Sequence, residues 1–162
     1  MRLIDSHCHL TDEAFDDDRL FILNDLSNFG LKAIINPATN IADSKMAIEL
    51  AEKYDNFYAM AGIHPEEVDD TDNKDLEELE KLAKNEKVIA IGEIGLDYYW
   101  KDDNKKKQKE IFIHQLELAR KLEKPAVIHV RDSKDDVIEI LKEYQDLKIQ
   151  IHCFSDDLET LE

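Results

Sequence analysis

The chain is poor in residues that cross-link or interrupt a fold. Its 162 residues include only two cysteines, four glycines and three prolines. Cys8 and Cys153 form no CxxC pair, so neither a disulfide framework nor a cysteine-rich zinc ribbon is indicated, and we expect free thiols in a reducing compartment. The low glycine and proline content is typical of a well-folded, helix-containing protein rather than a low-complexity chain.

Long apolar runs are also missing from the sequence. No stretch approaches the roughly 18 apolar residues that a membrane span needs. The opening residues, MRLIDSHCHL, lack the apolar core of a secretory signal peptide. We therefore expect a cytoplasmic protein without a membrane partner.

Basic residues are few, with 21 Lys and Arg against 38 Asp and Glu, which gives a formal net charge of −17. Proteins that clamp long nucleic acids usually carry a basic stripe, so this balance disfavours non-specific duplex binding. Much of the acid lies in helix-like stretches such as residues 69–86, where solvated surface charge is the simpler interpretation. A small phosphate substrate held by metal ions remains compatible with the charge.

Short β-branched runs alternate with segments of helical period along the whole chain, which we interpret as one domain, residues 1–162. The predicted strands are residues 2–5, 32–36, 57–62, 88–94, 126–130 and 148–152. Five helices and the start of a sixth lie between or after them. Repeated strand–helix–strand units predict a parallel sheet covered by helices. A doubly wound sheet fits this count, whereas an eight-fold barrel needs about 250 residues, so the chain would be a portion of one.

Candidate metal ligands occur at the ends of four of these predicted strands. Alternation along an extended chain puts the first two imidazoles on one face and Cys8 on the other. The others fall at carboxyl ends of strands, where loops of parallel α/β folds converge on ligands. The candidate ligands are His7, His9, Glu93, His129 and His152.

Five ligands exceed the three that an open catalytic zinc site takes from protein, so the sequence predicts two divalent cations. A bridging Glu93 would link one cation on His7 and His9 to another on His129 and His152. The alternative for Glu93 is a salt bridge to a core Arg or Lys, because a buried carboxylate needs a partner. Imidazole-rich ligation favours Zn²⁺ or Mn²⁺ over Mg²⁺ or Ca²⁺, although availability in the cell also selects the metal, including Mg²⁺.

Two further residues are candidates for substrate contact. His64 would donate to a substrate oxygen, or order its loop beside Pro65. Arg131 lies two residues after His129 and has a planar fork suited to phosphate; its alternative is a structural ion pair with Asp97.

Three aromatics, Tyr98, Tyr99 and Trp100, follow in a predicted loop. They either stack on a base or sugar or close over the core. His114, in the middle of a predicted helix, is interpreted as structural.

The ordered motifs DSHCHL, GIHP, GEIGLDYY, VIHVR and HCFS closely resemble the TatD family of metal-dependent hydrolases over the full chain. The resemblance implies a (β/α)8 TIM barrel of the amidohydrolase type. It also implies divalent-metal-dependent phosphodiester hydrolysis of DNA, often from a 3′ end. By the same resemblance the ligands are His7, His9, Glu93, His129 and His152. Our catalytic candidates are Glu93, His64 and Arg131, the last two of which would steady the phosphate.

The sequence departs from the family pattern near its end. The family continues to an acidic ETD-like motif on a seventh strand, whereas this chain ends at Glu162 and has Asp156 and Asp157 where a glycine is usual. We therefore expect a truncated form with about six of eight βα units. Its open sheet edges predict self-association.

Three functions follow as hypotheses. The first is a two-metal deoxyribonuclease acting on DNA ends or oligonucleotides. The second is a related metal-dependent amidohydrolase acting on an amide or lactone, with the same ligands and different loops. The third is a non-catalytic remnant that persists as an oligomeric or binding module.

Overall fold

The computed structural model describes residues 3–154 and contains one sheet of six parallel strands. Each strand pairs with the one before and after it in the chain, in the order β1 to β6. The strands are β1 (Leu3–Asp5), β2 (Leu31–Asn36), β3 (Phe57–Ala61), β4 (Val88–Asp97), β5 (Ala126–Arg131) and β6 (Ile149–Ile151).

Five α-helices connect successive strands. They are α1 (Arg19–Asn24), α2 (Ile41–Lys53), α3 (Asn73–Ala83), α4 (Lys105–Leu122) and α5 (Lys134–Leu141). Helices α2 and α3 each begin at a side chain that accepts a hydrogen bond from a free backbone N–H group. Asn40 accepts from the N–H of Asp43, and Asp72 forms a reciprocal capping box with Asp75. No helix within residues 3–154 combines the length and the apolarity needed to cross a membrane.

The sequential strand order confirms the barrel interpretation. A doubly wound sheet reverses its strand order at a switch point, whereas a barrel adds each new strand at the same edge. The six strands never reverse, so the doubly wound alternative is wrong. The described chain is a half-barrel of parallel strands with alternating helices.

The main core lies between the convex face of the sheet and the helices. Its largest fully buried side chains include Phe57 of β3 and Phe112 of α4. Burying such a side chain contributes on the order of 2 kcal/mol. A second, smaller cluster of Met60, Ala90 and Val127 lies apart from this core.

Strand boundaries differ from the prediction mainly where the site lies. Strand β4 runs three residues past Ile94 to Asp97, and β5 extends to Arg131. Strand β6 ends at Ile151, one residue before His152. The predicted sixth helix and the Asp156–Asp157 departure lie outside the described residues.

Candidate metal centre

Glu93 lies at the centre of the histidine cluster. It is only 3% exposed on β4. Its Oε2 lies 3.0 Å from His7 Nε2 and 3.6 Å from His9 Nε2, and its Oε1 lies 3.2 Å from His129 Nδ1. Each carboxylate oxygen therefore faces a different set of imidazoles. The alternative of a salt bridge from Glu93 to a core Arg or Lys is not seen among the described residues.

His7 and His9 follow β1 rather than lie within it, because the strand ends at Asp5. The chain nevertheless continues alongside β2, since the N–H of Cys8 donates to the carbonyl of Ile35 at 3.1 Å. Cys8 packs against the core, while the Nε2 atoms of the two histidines approach to 3.2 Å. The predicted division of faces therefore holds beyond the end of the strand.

The first group, His7, His9 and Glu93, has the donor chemistry of a cation site. Two ring nitrogens and a carboxylate oxygen converge within 3.6 Å of one another, and imidazole nitrogens cannot all donate to each other. The Nδ1 of His7 is the buried side-chain polar atom that lacks a hydrogen-bond partner among residues 3–154. These residues fit a transition-metal ion, which accepts neutral imidazole and carboxylate together.

The second group shares Glu93 and joins it to His129 and His64. His129 lies on β5, directly beside β4, with Gly95 as the register partner of His129. A Cβ at Gly95 would lie 2.1 Å from the carbonyl oxygen of His129, and Gly95 has a φ of +144°. Glycine at this position therefore permits the close strand contact that places His129 against Glu93.

His64 reaches the same group from the start of the 3-10 helix Pro65–Asp70. Its Nδ1 accepts a hydrogen bond from the N–H of Glu66 at 3.3 Å, and its ring packs edge-on against His129 with centroids 4.4 Å apart. This tautomer leaves the proton on Nε2. The loop-ordering contact is thus present, and the role of His64 as a donor to substrate stays a prediction.

His152, the fifth predicted ligand, is brought to the cluster by a different contact. Its ring stacks on that of His7, with centroids 3.4 Å apart and planes 12° from parallel. Its backbone N–H donates to the carbonyl of Ile128 at 2.8 Å. Neither of the two ligand groups of the described chain includes it, so its role as a ligand stays a prediction.

Asp97 is a site residue that the sequence analysis missed as a partner of the histidines. It is 1% exposed, and its Oδ2 lies 2.9 Å from His129 Nε2. Gln108 holds its backbone by accepting from the N–H and donating to the carbonyl, both at 2.9 Å. A carboxylate behind a metal-binding imidazole fixes its tautomer and raises its basicity. The signal for this partnership is the four-residue spacing that puts Glu93 and Asp97 on one face of β4, a strand that extends three residues past its predicted end at Ile94.

Arg131 does not form the alternative ion pair with Asp97. The oxygens of Asp97 are taken by His129 and by the backbone N–H groups of Tyr99 and Trp100. The exposed guanidinium of Arg131 instead lies over the Tyr99 ring, 4.0 Å from its centroid. The planar group is therefore held by stacking while its N–H edges remain available to an anion.

Burial and hydrogen-bond partners shift the pKa values of His64 and His129 in opposite directions. Burial, reinforced by nearby His129, lowers the pKa of His64 to about 4, so its imidazole is neutral at pH 7. Burial opposes protonation of His129 too, but its hydrogen bonds to Glu93 and Asp97 outweigh that cost and raise its pKa. At Glu93, burial favours a higher pKa, but this effect is outweighed by the hydrogen bonds from His129, His7 and His9. These bonds hold the pKa of Glu93 well below its usual range.

The cluster forms the floor of an open cavity of about 920 Å³ at the carboxyl ends of the strands. Its walls include Arg131 and the carboxylates Asp12, Glu66 and Glu67. This is the end of a parallel barrel where active sites lie. The arrangement presents grouped nitrogen and oxygen donors to a ligand of moderate size.

Known proteins are similar to this chain in sequence and in fold. The profile of the family described as TatD related DNase matches residues 4–162. The uncharacterized metal-dependent hydrolase YabD of Bacillus subtilis is 36% identical over 159 residues, which cover 97% of this chain and 62% of that protein. The chain thus spans about three-fifths of the length of the curated relatives it matches.

Solved structures give the same result. The crystal structure of YJJV, a TatD homologue from Escherichia coli K12, superimposes with a TM-score of 0.90 at 33% identity, over 98% of this chain and 62% of that one. A TatD family hydrolase from Entamoeba histolytica gives a TM-score of 0.87 at 30% identity, over 98% and 60%. With its histidine-rich cluster at the barrel's carboxyl end and a family match over nearly its whole length, the chain belongs to the TatD related DNase family.

Proposed function

We propose that this chain carries the metal-binding part of a divalent-metal-dependent phosphodiesterase that acts on DNA ends or oligonucleotides. The observation that supports this most is that the two carboxylate oxygens of Glu93 face two separate imidazole groups. A carboxylate in that position suits a pair of cations. Family membership and the names of the relatives point in the same direction.

The residues that would hold the cations follow from the two groups. His7 and His9 would hold one cation with Oε2 of Glu93. His129 would hold the other with Oε1, and we propose His152 as its further ligand, because the hydrogen bond at Nδ1 and the proton on Nε2 leave His64 no free nitrogen for a cation. When bound, such cations lower the pKa of water and stabilise charge on a reacting phosphate. Zn²⁺ and Mn²⁺ suit this donor set best.

The remaining polar groups support the substrate. Arg131 is exposed at the wall of the cavity, where its planar fork would bind phosphate oxygens in a bidentate manner. His64 carries its proton on Nε2 and would donate it in a hydrogen bond to a substrate oxygen. Asp97 would keep His129 in the tautomer whose Nδ1 faces Glu93.

The negative charge of the chain restricts the substrate. With a net charge of −17 the protein repels a long duplex, whose affinity depends on many phosphate contacts. A short strand or a frayed end needs only local contacts at the metal centre and Arg131. We therefore propose short or single-stranded DNA as the substrate.

Hydrolysis of a labelled oligonucleotide with Mn²⁺, Zn²⁺ or Mg²⁺ tests this function. We expect Glu93→Ala to abolish metal-dependent cleavage while circular dichroism shows an unchanged fold. Glu67→Ala is the matched control, because Glu67 lines the same cavity but pairs with Asn40 instead of the histidines. Unchanged cleavage by the Glu93 variant would exclude the proposal.

A parallel set of small amides and lactones separates the related alternative. Faster turnover of an amide than of an oligonucleotide would assign the site to amide or lactone hydrolysis. Elemental analysis tests the non-catalytic alternative. Fewer than one metal ion per chain after purification with metal would favour a binding remnant.

A further inference from the structure

Two exposed aromatic side chains are anchored directly behind the metal centre. Tyr99 is 54% exposed and Trp100 is 62% exposed, and their rings meet edge-on with centroids 4.8 Å apart. Both backbone N–H groups donate to Oδ1 of Asp97 at 3.0 Å, while Oδ2 of the same carboxylate contacts His129. The position of the aromatic pair is thereby tied to that of the histidine cluster.

Tyr98, the preceding residue, explains why the next two side chains face outward. It packs against the core, and its hydroxyl donates to Asp136 at 2.7 Å. Lys105 lies over its ring, 4.5 Å from the centroid. The core-closing interpretation therefore applies to Tyr98, whereas Tyr99 and Trp100 are left as an aromatic surface.

Arg131 connects this surface to the metal cavity. Its Cζ lies 4.0 Å from the Tyr99 centroid and 5.3 Å from that of Trp100. Arg131, His152 and Cys153 line both the metal cavity and a neighbouring cavity of about 910 Å³, which Tyr99 also lines. The two cavities adjoin at the guanidinium, so one ligand can occupy both.

We propose that Tyr99, Trp100 and Arg131 form a nucleobase shelf that stacks the base next to the phosphate held at the metal centre. Trp100 carries the base, and Tyr99 holds Arg131 with its N–H edges toward the phosphate. The inference rests on the proposed phosphodiesterase function. It names the part of the substrate that gives binding energy beyond the metal ions.

A nucleobase is the ligand whose chemistry matches these three groups. Every base offers a π-face to an aromatic ring, and a guanidinium adds cation–π and phosphate contacts from one side chain. Stacking is also tolerant of sequence and needs no basic surface, which suits a chain of charge −17. The base must be unpaired to reach the shelf, so the shelf selects single strands or frayed ends.

An oligonucleotide with 2-aminopurine at its terminal position tests the shelf, because stacking on an aromatic ring quenches its emission. The terminal linkage is a phosphorothioate to slow cleavage, and Mn²⁺ is present. We expect quenching by the unaltered chain and, in Trp100→Ala, its loss together with about tenfold or greater weakening of binding. Trp100 is exposed, so its replacement leaves the core intact.

Kinetics with an abasic terminal nucleotide provide the second readout. For Trp100→Ala we expect the KM of the normal oligonucleotide to rise about tenfold and that of the abasic one to stay unchanged. Phe21→Ala is the matched control. Phe21 is also 62% exposed in an edge-on pair, with Phe29, but it lies on α1, whereas Trp100 lies beside Arg131.

The outcomes separate the shelf from the reaction. Equal changes with normal and abasic substrates, or quenching that persists in Trp100→Ala, would overturn the shelf and leave the phosphodiesterase proposal standing. Quenching that depends on Trp100 without cleavage of any phosphodiester would overturn the reaction and leave the shelf. Absence of quenching by the unaltered chain would also overturn the shelf.

Discussion

The two halves of the histidine cluster are built very differently. In the central group, Glu93 and His129 lie on β4 and β5, each with a paired strand on both sides, and His64 lies in the loop that follows β3. The edge group, His7 and His9 with Glu93, follows β1, a strand of three residues whose neighbour in the described sheet is β2 alone.

The difference lies in how each histidine is held. His129 has carboxylates at both ring nitrogens, and Asp97 is itself fixed by Gln108. His7 is supported by ring stacking on His152 and leaves Nδ1 unpartnered within residues 3–154. Binding sites are precise where supporting contacts lock the ligand rotamers. We therefore expect the central group to bind its cation more tightly than the edge group.

Gly95→Ala should break the central group most completely. The added Cβ would lie 2.1 Å from the backbone of β5, and the φ of +144° disfavours any side chain. We expect a loss of about 3 kcal/mol or more in the free energy of unfolding. Urea denaturation measures it.

Gly30→Ala serves as the comparison for this substitution. Gly30 also has a positive φ, of +76°, but nothing lies within 4 Å of an added Cβ. Its cost should be limited to the backbone strain of a left-handed residue, about 1 kcal/mol. Equal losses from the two variants would show that the strand contact does not constrain the site.

His129→Ala should remove the cation of the central group and leave that of the edge group. The change deletes the imidazole between Glu93 and Asp97, so two carboxylates face each other without a nitrogen donor. We expect more than 100-fold weaker binding of one Zn²⁺ per chain, beyond the 10- to 100-fold typical of losing an outer partner. Competition with a fluorescent chelator measures both affinities. Loss of both cations together would contradict two separable groups.

Asp97→Asn tests the contact between Asp97 and His129 with a side chain of the same shape as aspartate. The amide oxygen retains the hydrogen bonds from the Tyr99 and Trp100 N–H groups, but the amide NH₂ meets His129 Nε2 as a second donor. His129 then adopts the tautomer with its proton on Nδ1, toward Glu93. We expect about 10- to 100-fold weaker metal binding at the central group.

Thermal unfolding without metal distinguishes this effect from misfolding. Asp97→Asn should unfold near the temperature of the unaltered chain, whereas Asp97→Ala also loses the loop contacts and should unfold earlier. If Asp97→Asn binds metal normally, Asp97 only orders the loop.

Most of the fold was predictable because strands in this chain are short apolar runs separated by amphipathic helices. The doubly wound alternative survived at the sequence level because periodicity reports which segments are strands and not which strands pair. The sequential order that the structure shows depends on contacts far apart in the chain, such as Ile4 against Ala33 and Ile128 against Ile151.

The residue types of the site could be predicted from the sequence, but the contacts that hold those residues in place could not. His7, His9, Glu93 and His129 lie together as their spacing and strand-end positions indicate. Asp97 was missed because β4 continues past Gly95, and a glycine normally weakens a strand. The close approach of β5 at Gly95 offsets that cost. The grouping of His64 with His129, instead of His152, depends on a loop hydrogen bond that no sequence pattern reports.

His9→Ala should have the smallest effect and bears directly on the edge group. The His9 side chain is 37% exposed and its Nε2 lies 3.6 Å from Glu93, so water can take its place beside a cation. We expect about tenfold weaker binding, or 1.4 kcal/mol, at one site and unchanged binding at the other. Chelator competition measures both affinities, and His114→Ala, an exposed histidine on α4, is the matched control. If His9→Ala weakens binding as much as His129→Ala, the two halves hold their cations equally well, and the support from Asp97 and the paired strands adds nothing to affinity.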